Sequence, residues 1–125
     1  MRDVQGLMNE FGAALQFFDG FGENWAALED CLVWLDEWLP AEAYVLVMER
    51  AEDLLVEEDD DQLTNFFATV HSAGESWAHS VDTPEWFKRP PRPFHVLLNV
   101  SPSRPDGITR FVDAAFRAGM PIHIQ

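Results

Sequence analysis

Asn24-Trp25-Ala26-Ala27-Leu28-Glu29-Asp30-Cys31-Leu32-Val33-Trp34-Leu35-Asp36-Glu37-Trp38-Leu39 is the stretch on which the fold turns. Asn24 suits a helix N-cap, because its side-chain carbonyl accepts an N–H that the first turn leaves unpaired. Pro40 stops the run, so the spacing predicts a helix over 24–39. At roughly 100° per residue, Leu28, Cys31, Leu32, Leu35, Trp38 and Leu39 share one side, the expected core face. The opposite side carries Ala26, Asp30, Val33 and Glu37, with Glu29 and Asp36 along one edge and Ala27 and Trp34 along the other. The helix has four carboxylates and no cation. Small and apolar side chains set among carboxylates, beside a tryptophan, make the mixture found at binding anchors. The plainer alternative is an acidic solvent face with Trp34 packed on the next element.

Working outward, Asp19-Gly20 and Gly22 interrupt the chain, and Asp3 to Phe17 reads as a helix with Val4, Leu7, Met8, Phe11 and Leu15 on one side. Ala43 to Met48 is a short apolar run with β-branched members, expected to be a strand buried on both faces. Glu57-Glu58-Asp59-Asp60-Asp61 is expected to form a solvated loop leading into a helix over 61–79, with Leu63, Phe66, Phe67, Val70 and Trp77 in the core. Lys88-Arg89-Pro90-Pro91-Arg92-Pro93 reads as an exposed, extended connector whose cations offset local charge. Phe94 to Val100 is a second strand, Ile108 to Ala118 a last helix ended by Gly119, and Pro121 to Gln125 a terminal strand. Strands alternating with helices predict an α/β domain over 1–125, with a three-stranded parallel sheet in three layers.

Composition narrows the function. The 125 residues carry 22 acidic side chains against 8 basic ones, a net charge of −14. Residues 1–87 hold 20 of the acids and only Arg2 and Arg50 as bases. Such a surface repels phosphate and anionic lipid, which argues against nucleic-acid and membrane partners, and its complement is a cationic protein. The 47% hydrophobic content is ample for a packed core and excludes a disordered acidic tail. The lone Cys31 forms no internal disulfide, no apolar run reaches membrane-spanning length, and no secretory pattern follows Met1; a cytoplasmic protein is expected.

The segment Phe18-Asp19-Gly20-Phe21-Gly22-Glu23-Asn24-Trp25-Ala26-Ala27-Leu28-Glu29-Asp30-Cys31-Leu32 resembles the defining stretch of the barstar family. The family pattern is aromatic-Gly-Glu-Asn, an apolar residue, a short gap, Leu, and an acid two places later. Phe21-Gly22-Glu23-Asn24, Leu28 and Asp30 match it. The resemblance covers about residues 3–100 of this chain, most closely 18–35, and leaves 101–125 as a helix–strand extension. It implies a non-enzymatic intracellular inhibitor that plugs the cationic active site of a secreted, barnase-like ribonuclease. It also implies that Asp30 stands where the family carries its phosphate-mimicking aspartate, since a carboxylate accepts the charge-assisted bonds otherwise made to phosphate. The expected contact set is Gly20, Asn24, Trp25, Ala26, Glu29, Asp30, Val33, Trp34 and Glu37.

The chain departs from the family prototype at several places. Ala26 replaces a second acid, Gly20 an aromatic, and Glu29 a tryptophan, while Trp34 precedes by one the place of the next aromatic contact. Glu29 and Glu37 are the candidates to restore the missing charge, and Glu75 the candidate acid from the third helix. The family's opening strand has no counterpart before the first helix, and Ile122-His123-Ile124 is the expected substitute for it. These departures keep open an alternative, an immunity or regulatory protein of the same fold with a non-ribonuclease partner. His71, His79, His95 and His123 have no metal-ligand spacing, and no phosphate loop or nucleophile motif accompanies the carboxylate pairs, so neither metal nor cofactor is expected. Cys31, on the apolar side of its helix, reads as a small buried hydrophobe.

Overall fold

The computed structural model describes residues 1–83 and 88–124. Helix α1 spans Val4–Ala14, opened by Asp3, whose carboxylate accepts the Gly6 N–H at 2.7 Å. The acidic run after residue 56 is less free than its charge suggests. Glu57 pairs with Arg2 at 3.2 Å, and Glu58 accepts the Val4 N–H at the positive end of α1. The helix stops three residues short of the expected Phe17. Gln16 adopts φ 57°, and the turn swings Phe17 inward to meet Phe21 and Trp38 edge-on.

Helix α2 spans Trp25–Val33 and is followed by a 3-10 turn over Leu35–Glu37, so the single helix expected over 24–39 is broken at Trp34. The break has a tertiary cause. The Leu32 carbonyl accepts the Trp77 indole N–H at 2.8 Å, and the Val33 carbonyl accepts from Arg89 Nη1 at 2.6 Å. The final carbonyls of α2 are thus capped by side chains from elsewhere in the chain. Leu35, beyond the break, still reaches a small core with Tyr44 and Trp77.

Helix α3, Asp60–Ala78, is the central element and packs against both α2 and α4, the latter spanning Asp106–Ala118. Its Leu63, Phe66, Phe67, Val70 and Trp77 are buried, as their spacing predicts. An aromatic chain runs through the core from Phe11 to Phe66 to Phe67 to Phe111, with centroids 5.6–6.1 Å apart. Such edge-to-face contacts add to the stabilisation from area burial alone.

Strands β1, Tyr44–Met48, and β2, Phe94–Leu98, pair in parallel from Tyr44 opposite Phe94 to Met48 opposite Leu98. Among the described residues the sheet has these two strands, not three. Residues 121–124 are irregular and pair with neither strand. Gly119 ends α4 at φ 73°, Pro121 has no N–H to offer a ladder, and Ile122 packs into the core instead. The expected substitute strand is therefore not formed; Gln125 lies outside the described residues. Nor is β1 buried on both faces. Tyr44 and Met48 point into the core, whereas Val45 is 59% and Val47 53% exposed, and β2 likewise leaves Leu97 48% exposed. The sheet is covered on one side only, which removes the third layer. A short apolar run has the same composition whether one face or two is covered, so the sequence pattern did not discriminate.

The segment at 88–93 is a connector with a buried anchor. Arg89 is 3% exposed and forms an antiparallel bridge with Val81, N–H to carbonyl in both directions at 2.8 and 2.9 Å. Arg92 donates from Nη1 to the Ala41 carbonyl at 2.9 Å. No described helix is long and apolar enough to cross a membrane.

Candidate partner-binding surface

The aromatic-Gly-Glu-Asn motif folds as a helix entrance. Phe21 stacks edge-on against Phe17 at 4.8 Å. Gly22 lies so close to the first turn that a Cβ there would sit 3.3 Å from both the Ala27 methyl and Asn24 Nδ2. Asn24 closes the cap: Oδ1 accepts the Ala27 N–H at 2.8 Å and Nδ2 donates to the Gly22 carbonyl at 3.2 Å. Glu23, at φ 52°, accepts from Gln5 Nε2 at 3.1 Å and ties the entrance to α1. The first turn of α2 is thus fixed before any partner arrives.

The expected contact residues divide by what holds them. Asn24 has committed its side chain to the cap. Trp25 is half-buried, donates its indole N–H to Gln62 Oε1 at 2.9 Å and packs edge-on to Phe66. Gly20, Ala26, Asp30 and Glu37 are exposed, Glu29 and Val33 half-buried, and Trp34 is 37% exposed. On α2, Ala26 and Asp30 stand one turn apart on the solvent face, with Trp34 following at the break.

The four carboxylates are not equivalent. Asp36 is consumed by the fold, paired with Arg89 at 3.3 Å and with Arg92 at 3.8 Å. Glu29, Asp30 and Glu37 make no hydrogen bond or ion pair with any described residue. Their charge faces outward beside Trp34, which the Arg89 guanidinium backs at 5.2 Å while stacking on Trp77 at 3.8 Å. Cys31 is buried on the other side of the helix, and burial together with the neighbouring Asp30 charge pushes its thiol pKa up. It remains a neutral thiol near pH 7 and no nucleophile. Among the described residues no three His, Cys, Asp or Glu side chains group as a metal site.

Two features escaped the sequence reading. Arg89 is the buried brace behind this face, although its run of prolines and cations resembles a solvated linker. Phe18 is 64% exposed, with its ring 2.9 Å from where a Gly20 Cβ would lie. The signal for Phe18 was its place beside Phe17: of two adjacent aromatics at a turn, one can face in and the other faces out. Glu75 is exposed on α3. A family model described as Barstar (barnase inhibitor) matches residues 1–99. No curated protein and no solved structure matches the chain.

Proposed function

The chain belongs to the barstar family, and on that premise we propose that it is a non-enzymatic inhibitor of a cationic, barnase-like ribonuclease. Docking occurs through residues 20–37. Asp30 enters the enzyme's phosphate subsite and accepts the charge-assisted hydrogen bonds that RNA would otherwise receive. Glu29 and Glu37 supply the charge that Ala26 lacks, and their field speeds encounter. Val33, Trp34 and Phe18 provide apolar contact around the carboxylate. Residues 101–124 lie beyond the family match and take no part in this contact.

The observation that carries this reading is the state of Asp30: an exposed carboxylate with no described bonding partner, on a helix whose two ends are already capped. Little ordering cost is left for binding. Asp30→Ala is expected to weaken inhibition of a barnase-type ribonuclease on the order of 100-fold, chiefly through faster dissociation, with thermal stability unchanged. Unaltered inhibition by Asp30→Ala rejects the role of Asp30. Failure of the unaltered chain to bind ribonucleases, with capture of a non-nuclease instead, supports the alternative partner that the Ala26 and Glu29 departures suggest.

A further inference from the structure

The sheet presents a second surface, unlike the acidic face of α2. The Tyr44 N–H donates to the Pro93 carbonyl, and the Met48 carbonyl accepts the Asn99 N–H, both at 2.9 Å. In a parallel ladder the even-numbered residues of β1 therefore turn their backbone groups toward β2, and Val45 and Val47 turn theirs away. Outside the sheet, no described residue bonds those N–H and C=O groups. Beside this free edge lies a groove of about 570 Å3, walled by Phe11 and Ala14 of α1 and by Leu15 just past its end. A β-branched edge that no described loop, inward charge or bulge protects is a template for another strand. A two-stranded parallel sheet with a bare face is also unusual, since parallel strands are ordinarily covered on both sides.

We propose that this edge and groove receive an extended segment of a partner protein, apolar at alternate positions and basic at its ends, which adds to the sheet as a third strand. The backbone groups of Val45 and Val47 supply the pairing. Alternate side chains of the guest descend onto Phe11, Ala14 and Leu15, and the others extend the Val45–Val47 surface. Charge sets the sign of the guest's ends. Within the groove Arg2 is neutralised by Asp53 at 3.3 Å and Glu57 at 3.2 Å, the Met1 ammonium pairs with Glu10 at 3.7 Å, and exposed Glu49 and Arg50 complete the lining, so the sign is set by the surface around it. The surrounding field is that of a region with 20 acids against two bases. A second copy of this chain fits poorly. Pairing through the edge would bring together two chains each of charge −14.

The test uses the full chain and a blocked synthetic peptide, Lys-Val-Thr-Val-Thr-Val-Lys, followed by amide hydrogen exchange. Slowed exchange at Val45 and Val47, at least tenfold, is the expected result, with weaker binding when glutamates replace the terminal lysines. Val47→Pro removes one outward N–H and leaves the β1–β2 ladder intact, because that N–H does not face β2. It is expected to lower peptide affinity at least tenfold. Unchanged exchange at both valines overturns the proposal in the unaltered chain, even if Val47→Pro fails to fold. Equal affinity for the glutamate-ended peptide, or protection that grows with the protein's own concentration without peptide, also overturns it. Asp30→Ala is expected to bind the peptide normally, so the outcome is separable from that of ribonuclease inhibition.

Discussion

The outer face of α2 and the outer edge of β1 are both open to solvent, and they are finished in opposite ways. On α2 every exposed end is closed: Asn24 caps the start, and Trp77 and Arg89 cap the final carbonyls. Among the described residues, what remains unpaired there is side-chain charge, at Glu29, Asp30 and Glu37. On β1 the exposed side chains are uncharged Val45 and Val47, and what remains unpaired among the described residues is backbone. A surface with fixed backbone and free charge suits fast, salt-sensitive recognition of a cationic cleft. A surface with free backbone and apolar side chains suits pairing with an extended chain.

The comparison is broken most forcefully at Arg89, the brace that makes the α2 face rigid. Its guanidinium caps Val33, pairs with Asp36 and lies 3.8 Å over Trp77. Its Nε–H has no acceptor among the described residues, so the site accepts a desolvation cost in return for those contacts. Arg89→Ala leaves half-buried Asp36 with only the longer Arg92 contact and uncaps α2. A loss of about 3 kcal/mol is expected, read as a lower urea midpoint. Val47→Thr, on the other surface, is expected to change stability by less than about 0.5 kcal/mol. Similar losses for the two variants would erase the distinction between a braced face and an open one.

A smaller effect sharpens the same contrast at the other end of α2. Asn24→Ala removes the acceptor for the Ala27 N–H and is expected to cost about 1 kcal/mol. Because Asn24 holds the entrance to the face, ribonuclease affinity measured well below the melting temperature is expected to fall as well. An equal loss of stability with unchanged affinity would mean that the cap serves folding alone.

Legibility followed sequence distance. The Asn24 cap and the buried Leu28, Cys31, Leu32 and Leu35 could be read from neighbouring residues, because each depends on contacts within a turn or on helical spacing. The free Asp30 carboxylate followed from the same helical geometry. The break at Trp34 could not be read, because its cause lies in Trp77, 45 residues beyond Leu32, and in Arg89, 56 beyond Val33. Arg89 was also hidden by its company, since Pro90, Pro91 and Pro93 suggest an extended solvated strand, and only the fold puts two tryptophans beside it. The missing third strand had a related cause: β-branched residues at 122 and 124 satisfy the local preference, while pairing requires a neighbour that the chain does not bring to them.

The mildest test concerns the two sides of α2. Burial raises the pKa of Cys31, and the Asp30 charge raises it further; burial likewise raises Tyr44, with Asp36 adding and Arg92 and Arg89 opposing. Both groups are neutral when protonated, so a folded pKa above the unfolded one means that the native state holds the proton more tightly. Their contribution to stability is complete below the unfolded values, near 9.0 for the thiol and 10.0 for the phenol, and is lost as pH rises through the folded ones. Melting temperature is therefore expected to decline in alkali above pH 9.0, and less steeply in Cys31→Ala. Asp30→Asn removes one of the two causes acting on the thiol, so thiolate absorbance in the folded protein is expected to appear at lower pH. An unmoved titration would mean that the charge on the outer face is screened from the core beneath it. The encounter field assigned to that face would then have to come from the rest of the acidic surface.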